Sequence, residues 1–271
     1  MKRFLVVTNR NKDRDLTVTN DLIRIISERN ATAGTDPDRD YDCCIVLGGD
    51  GTIISTSRLL NGRNIPILGI NLGHLGFMSS VEKDDIARAV DLLIGGDYLL
   101  EDRMMITAGI SRNGILADRE YTALNDVVIS RLGFSRMIST RAYVNDALVN
   151  TYFGDGIIVS TPTGSTGYNL SAGGPIVTPE AELMVITPIC PHSLNMRSVV
   201  VAANDQIKIT VDTSRDDYTG KAIMTIDGQE PIELENEDIV EIKRSTRVTK
   251  LIRFNDHGFF KVLHLKLSDQ S

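Results

Sequence analysis

The residues best suited to chemistry fall in three stretches of the chain. The first, IVLGGDGTI from Ile45 to Ile53, runs an apolar strand into a glycine turn with one carboxylate, Asp50, at its apex. A strand that ends in glycines and opens a helix presents backbone N–H groups and a positive helix end, both suited to phosphate. Gly48, Gly49, Gly51 and Thr52 are therefore candidate phosphate contacts. Asp50 would repel phosphate, but it could accept the proton of a hydroxyl nucleophile or act through a metal. It could also simply cap the helix that Gly51 and Thr52 begin. Neither a GxxxxGK[ST] loop nor a GxGxxG fingerprint occurs.

The second stretch is GDGIIVSTPTGSTGYNLSAGGP, from Gly154 to Pro175. Ser160, Thr161, Thr163, Ser165, Thr166 and Ser171 surround a single aromatic, Tyr168. Small hydroxyl residues on an open backbone can satisfy the polar edges of a sugar or base, and a tyrosine ring offers a face for stacking. The third stretch is LND, Leu124 to Asp126, ahead of the apolar run VVIS; this Asn-Asp pair could bond a ribose diol or form a cap or turn. His74 and His192 have no ligand-spaced partner, so no metal site is expected from protein side chains.

The elements that must position these residues change character along the chain. Up to about residue 98, short apolar runs alternate with helical periods. Phe4–Thr8, Cys43–Leu47 and Ile65–Ile70 read as strands. Val18, Leu22, Ile25 and Ile26 mark one helix, Thr52–Leu60 a second, and Ile86, Val90 and Leu93 a third that ends at GGD. Such alternation predicts a Rossmann-like parallel sheet, with ligands beyond the carboxyl ends of its strands, where GGDGT lies. From about residue 99 to 248, MMITAGIS, DVVISR, TRAYV, ALVNTY, GIIVS, DQIKITVD, AIMTID and DIVEIKR read as short strands, with VND and IDGQE as hairpin turns. A mainly antiparallel second domain is expected. The stretch LIRFNDHGFFKVLHLKL, within 249–271, returns to a helical pattern and is expected to complete the first domain.

Composition narrows the function classes. The chain has 271 residues, 42% apolar and 24% charged, an ordinary globular balance. A net charge of −7 without a basic stripe argues against a nucleic-acid partner. The apolar run FLVV is too short for a signal core or a membrane span, and Cys43, Cys44 and Cys190 read as buried free thiols rather than a disulfide or zinc framework. A cytoplasmic protein without a membrane partner is expected.

Taken together and in order, these residues resemble the NAD kinase family. The resemblance rests on GGDGT at Gly48–Thr52, NLGHLGF at Asn71–Phe77, LND at Leu124–Asp126, GDGIIVSTPTGSTGYNLSAGGPI at Gly154–Ile176, PICPHSLNMRS and the closing FFKVLHLKL. GGDGT alone is shared with lipid kinases of the diacylglycerol type and, more loosely, with phosphofructokinases; the STPTGSTGY block discriminates. The resemblance implies transfer of the γ-phosphoryl group of ATP to the 2′-hydroxyl of the adenosine ribose of NAD, giving NADP and ADP, with Mg²⁺ carried by the ATP. The choice between ATP and polyphosphate as donor is left open by these residues. A homodimer or homotetramer is also implied. Carried over by position, Asp50 would be the general base with Gly51 beside the ribose. Asn125 and Asp126 would hold the adenosine, and Thr166, Gly167, Tyr168, Asn169, Leu170 and Ser171 would grip its base, with Tyr168 stacking. Asp155 would reach the nicotinamide end, and Arg136 and Gln229 would make further nucleotide contacts.

Three positions depart from the family pattern. The usual Asn-Glu pair is Asn125-Asp126, the usual alanine before the tyrosine is Gly167, and a basic residue common two before the aspartate is Phe153. These bear on affinity rather than reaction class. A nucleotide sensor without turnover is a rival reading, although it would not need Asp50. A lipid or sugar kinase sharing GGDGT is another, although no amphipathic membrane-binding stretch accompanies the motif.

Overall fold

The computed structural model describes residues 1–60, 62–73, 76–133, 137–193, 195–215, 218–219, 221–229, 231–254 and 258–268. The chain forms two compact units, Met1–Arg103 with Val248–Ser271, and Met104–Arg247. Among the described residues no helix is long and apolar enough to cross a membrane.

In the first unit four parallel strands lie in the order Thr32–Gly34, Arg3–Thr8, Cys43–Gly48 and Ile67–Asn71. Cys43–Gly48 is buried along its whole length, as its unbroken apolar run requires of a strand covered on both faces. The helix Thr17–Glu28 places Val18, Leu22 and Ile26 on one buried stripe. Ile86–Gly95 does the same with Ile86, Ala89, Val90 and Leu93, and stops where Gly96 turns left-handed at φ +83°. The parallel α/β class expected from the alternation is what forms. Cys43 and Cys44 are buried here, and burial pushes the Cys44 thiol up to about 12.

The second unit is antiparallel. One sheet runs Val199–Ala202, Leu183–Ile189, Gly156–Ser160, Asp126–Arg131, Ala222–Ile226, Ile232–Leu234. A second ladder joins Ala147–Gly154, Ile138–Val144, Ile207–Asp212 and the first residues of Ile239–Arg253. Val127, Ile129, Ile157, Val159 and Met224 of the first meet Ile138, Tyr152, Ile207, Ile209 and Val240 of the second in one core. The expected hairpins form at Asn145-Asp146, φ +49° and +64°, and at Asp227-Gly228, φ +52° and +66°.

Four details differ from the sequence expectation. Leu183–Ile189 and Val199–Ala202 are strands that the pattern did not mark; the first is nearly all buried and therefore lacks alternation. Leu251 and Ile252 belong to the strand Ile239–Arg253, where Leu251 pairs with Ile67, so the C-terminal helix begins only at Phe259. The helix after the glycine turn starts at Asp50 rather than Thr52. Cys190 is exposed, and its φ of +44° puts it in a strained turn.

Candidate active site

Each unit carries one part of the predicted machinery. In the first, the strand Cys43–Gly48 delivers the chain to Gly49, and Asp50 opens the helix Asp50–Leu59. Gly48 leaves room for that turn, because a β-carbon there would lie 2.5 Å from Thr52 Oγ1. Thr52 Oγ1 also accepts a hydrogen bond from Asn9 Nδ2 at 3.0 Å. Asp50 does not cap its own helix. Its Oδ2 accepts from the Phe77 amide at 2.8 Å and its Oδ1 from the Met78 amide at 3.1 Å. These bonds fix the carboxylate's direction. They use two of about four lone-pair directions, so acceptor capacity is left over.

The loop that holds Asp50 explains the second glycine of NLGHLGF. A β-carbon on Gly76 would fall 1.9 Å from Asp50 Oδ1, so only glycine admits the carboxylate. Ser79 Oγ accepts from the Gly76 amide at 3.0 Å, and Arg253 donates to the Phe77 carbonyl at 2.8 Å while pairing with Glu101 at 2.8 Å. Sequence reasoning missed Gly76 and Arg253. The glycine was in view, but its partner 26 positions earlier was not.

In the second unit the LND turn is held from the IDGQE hairpin. Asp227 accepts from the amides of Leu124 at 3.0 Å, Asn125 at 2.7 Å and Asp126 at 3.2 Å, and its own amide donates to the Asp126 carbonyl at 3.0 Å. Thr161 locks the same turn, donating through Oγ1 to the Leu124 carbonyl at 2.6 Å and through its amide to the Asn125 carbonyl at 2.8 Å. Gly164 lets the hydroxyl-rich loop pass, since a β-carbon there would meet the Asn125 carbonyl at 2.2 Å. Asp126 is buried, and burial together with the neighbouring Asp227 charge pushes its carboxyl up to about 7. Near neutral pH it can therefore donate as well as accept a hydrogen bond.

Tyr168 is 47% exposed at the start of the short helix Tyr168–Ser171, so its ring has a free face. Burial first, and then the negative charges of Cys190, Asp155 and Asp126, raise its hydroxyl above the usual tyrosine value. Asn125 Nδ2 lies 3.4 Å from where a β-carbon on Gly167 would stand, so the missing methyl leaves the amide more room. Asn125 Oδ1 is buried and unpartnered among the described residues. Asp155 pairs with Arg131 at 2.6 Å. Phe153 packs against the edge of His192 with 6.3 Å between ring centres.

Not every expected contact is free to meet a ligand. Asn169 is fully buried; its Nδ2 donates to the Ser165 and Pro175 carbonyls and its Oδ1 accepts from Thr187. Its side chain pins the loop instead of facing a ligand. Gly174 makes this fit possible, as a β-carbon there would strike Asn169 Oδ1 at 2.1 Å. Thr166 and Leu170 are half-buried and Ser171 is exposed. Gln229 is exposed beside the Asp227 turn, with its amide bonded to the Ile226 carbonyl. Arg136 and His74 lie outside the described residues. Sequence reasoning read IDGQE only as a turn and so missed Asp227.

One unit is parallel α/β with a lone carboxylate in a glycine turn, and the other is antiparallel with a hydroxyl-rich loop, the two parts expected of a nucleotide-handling phosphotransferase. The family profile described as the ATP-NAD kinase N-terminal domain matches residues 5–98, and that of the ATP-NAD kinase C-terminal domain matches residues 124–254. The chain is 44% identical over 285 residues to the NAD kinase of Lachnoclostridium phytofermentans, covering 100% of both chains. It is 40% identical over 288 residues to that of Thermoanaerobacter pseudethanolicus, again covering 100% of both. The chain belongs to the NAD kinase family, as its motifs led us to expect. Its fold is also that of a yeast NADH kinase complexed with NADH (TM-score 0.84, 21% identity, 100% of this chain and 89% of that one). An NAD kinase from Archaeoglobus fulgidus in complex with ATP is likewise similar (TM-score 0.79, 24% identity, 98% of each chain).

Proposed function

We propose that the protein transfers the γ-phosphoryl group of ATP to the 2′-hydroxyl of the adenosine ribose of NAD, with Asp50 as general base. The observation that carries this reading is the Asp50 carboxylate, aimed by two loop amides and given room by Gly76. A ribose hydroxyl is a weak nucleophile at neutral pH, and a positioned base contributes about 10²–10⁴-fold. As the hydroxyl oxygen bonds to the γ-phosphorus, its proton passes to Asp50, and ADP leaves with the bridging oxygen. The larger share of the acceleration comes from positioning and charge stabilisation.

Binding of NAD is assigned to the second unit. Tyr168 stacks on the adenine, Asn125 and Asp126 bond the adenosine, Thr166, Gly167, Leu170 and Ser171 line it, and Asp155 reaches the nicotinamide end. The free face of Tyr168 and the unpartnered Asn125 Oδ1 support this assignment. Gln229 and Arg136 add outer contacts. Gly48, Gly49, Gly51 and Thr52 receive the donor's phosphates. Mg²⁺ enters as part of the ATP substrate, where it offsets phosphate charge; among the described residues no group of three His, Cys, Asp or Glu side chains could hold a metal. We place the enzyme in the cytoplasm and read it as a homodimer or homotetramer; exposed Leu148 and Val200 on edge strands of the second unit support the association.

The test is product analysis of purified protein with Mg²⁺ and ATP, offered NAD, diacylglycerol or glucose in parallel. NADP alone is expected. Phosphatidate or a sugar phosphate would assign the glycine turn to another kinase class, and NAD binding without any product would mark a sensor.

A further inference from the structure

Lys12 lies in TNRNKDRD, just after the first strand, and no reading of the sequence gave it a role. The fold does. Arg3–Thr8 and Cys43–Gly48 are parallel neighbours with Thr8 opposite Leu47. The chain leaves Arg3–Thr8 for Thr32–Gly34 on one side of the sheet, and Cys43–Gly48 for Ile67–Asn71 on the other. The carboxyl ends of these two strands therefore flank the point where the winding reverses, the usual place for a ligand in an open α/β sheet. Lys12 follows one end, and Gly49 follows the other.

The segment carrying Lys12 is fastened on both sides. The Asn9 amide donates to the Leu47 carbonyl at 2.9 Å, the Asn9 carbonyl accepts from Lys12 at 2.9 Å, and Asn9 Nδ2 donates to Thr52 Oγ1 at 3.0 Å. On the other side Asp13 is buried, accepting from the Val18 and Thr19 amides at 3.2 and 2.9 Å and from the Thr19 hydroxyl at 2.6 Å. The Lys12 ammonium then reaches over two glycines. A β-carbon built on Gly49 would lie 3.2 Å from Nζ, and one on Gly73 would lie 3.5 Å from it. Lys12 makes no ion pair with the carboxylates of the described residues.

A second, independent feature meets the same glycine. Asn71 ends the strand Ile67–Asn71 opposite Gly48 and is 2% exposed. Its Oδ1 accepts from the Gly73 amide at 3.0 Å, but its Nδ2 is buried without a partner among the described residues. A buried donor left unmet is costly unless a ligand supplies the acceptor. A cation and an amide with a free donor thus meet at Gly73, and the cation also reaches Gly49, next in sequence to the Asp50 carboxylate, whose charge would otherwise repel a triphosphate.

We infer that Lys12 and Asn71 form the phosphate clamp of the donor: Lys12 Nζ holds the β- and γ-phosphate oxygens, and Asn71 Nδ2 bonds one of them. This rests on the proposed kinase reading. In the transfer step the ribose oxygen bonds to the γ-phosphorus, the bond from γ-phosphorus to the β–γ bridging oxygen breaks, and the proton goes to Asp50. Negative charge grows on that bridging oxygen, and Lys12 offsets it. Lys12 is therefore a catalytic residue that touches the donor.

The test pairs kinetics with direct binding. Lys12→Ala, Lys12→Arg and Asn71→Leu would be compared with the unaltered protein in NADP formation. Calorimetry would follow titration with NAD and, separately, with inorganic tripolyphosphate. For Lys12→Ala we expect kcat/KM for ATP to fall about 10²-fold, tripolyphosphate affinity to fall at least tenfold, and NAD affinity to stay within twofold. Lys12→Arg should recover part of both losses, and Asn71→Leu should weaken tripolyphosphate and raise KM for ATP while leaving NAD affinity unchanged. Retained tripolyphosphate affinity and ATP kinetics in Lys12→Ala would overturn the assignment. If the unaltered protein makes no NADP the kinase reading fails, yet the tripolyphosphate titrations still decide whether Lys12 binds phosphate.

Discussion

Gly76→Ala should disable the base without touching it. The new methyl would stand 1.9 Å from Asp50 Oδ1 and 2.5 Å from its carboxyl carbon. To regain 3.4 Å, the near edge of ordinary contact, the carboxylate or the loop must retreat by about 1.5 Å. Either movement breaks the bonds from the Phe77 and Met78 amides, now 2.8 and 3.1 Å long. Hydrogen bonds to a charged group contribute about 1.5–3 kcal/mol each, so the lost aim is worth roughly 3 kcal/mol, or about 10²-fold in rate. Displacement of a catalytic group by about 1 Å is of the same consequence. The assay is initial-rate NADP formation read through an NADP-specific dehydrogenase, with thermal unfolding as a check on folding. The matched control is Gly51→Ala, where nothing lies within 4 Å of an added methyl, so the fold should tolerate it and any loss must come through bound nucleotide. A Gly76→Ala protein that keeps kcat within threefold of the original would refute the role given to this glycine.

Three further outcomes follow from the second unit and the core. Asp227→Ala removes the acceptor for three amides of the Leu124–Asp126 turn, so KM for NAD should rise about tenfold or more while KM for ATP changes little; equal effects on both would count against it. Asp126, raised to about 7, binds a proton more tightly folded than unfolded, so its contribution to stability is full below the unfolded pKa and is lost as pH rises toward 7. Asp126→Asn should therefore gain thermal stability over the original between pH 5 and pH 8, on the order of 2 kcal/mol by the upper end, and a difference that is flat with pH would contradict the burial argument. Among the three thiols, Cys190 should react rapidly with a disulfide reagent in the folded protein, whereas Cys43 and Cys44 should react only on unfolding.

How much of this could be read from the chain depended on whether the cause was local. The GGDGT turn and the parallel class were legible because a strand, a glycine turn and a helix follow one another directly between Cys43 and Leu59. The antiparallel second unit was legible from alternation, and Leu183–Ile189 escaped because a strand buried on both faces does not alternate. Long-range partners carried no local signal. Asp227 reaches the Leu124 amide across 103 positions and Gly76 meets Asp50 across 26, yet each looked like ordinary turn chemistry in its own neighbourhood. Asn169 shows the reverse error: its place beside Tyr168 suggested a ligand contact, while enclosure by Ser165, Pro175 and Thr187 commits its amide to the loop. Lys12 was invisible for want of the strand order that brings it to Gly49.

The most direct test of the central claim is the single-turnover rate of NADP formation by Asp50→Asn, with NAD affinity measured on the same preparation. The substitution keeps the shape and acceptor oxygen of the side chain but removes its capacity to take a proton. The account predicts a rate lower by about 10²–10⁴-fold with NAD affinity within a few-fold. A near-normal rate would show that the ribose proton goes elsewhere and that the carboxylate at the turn is structural.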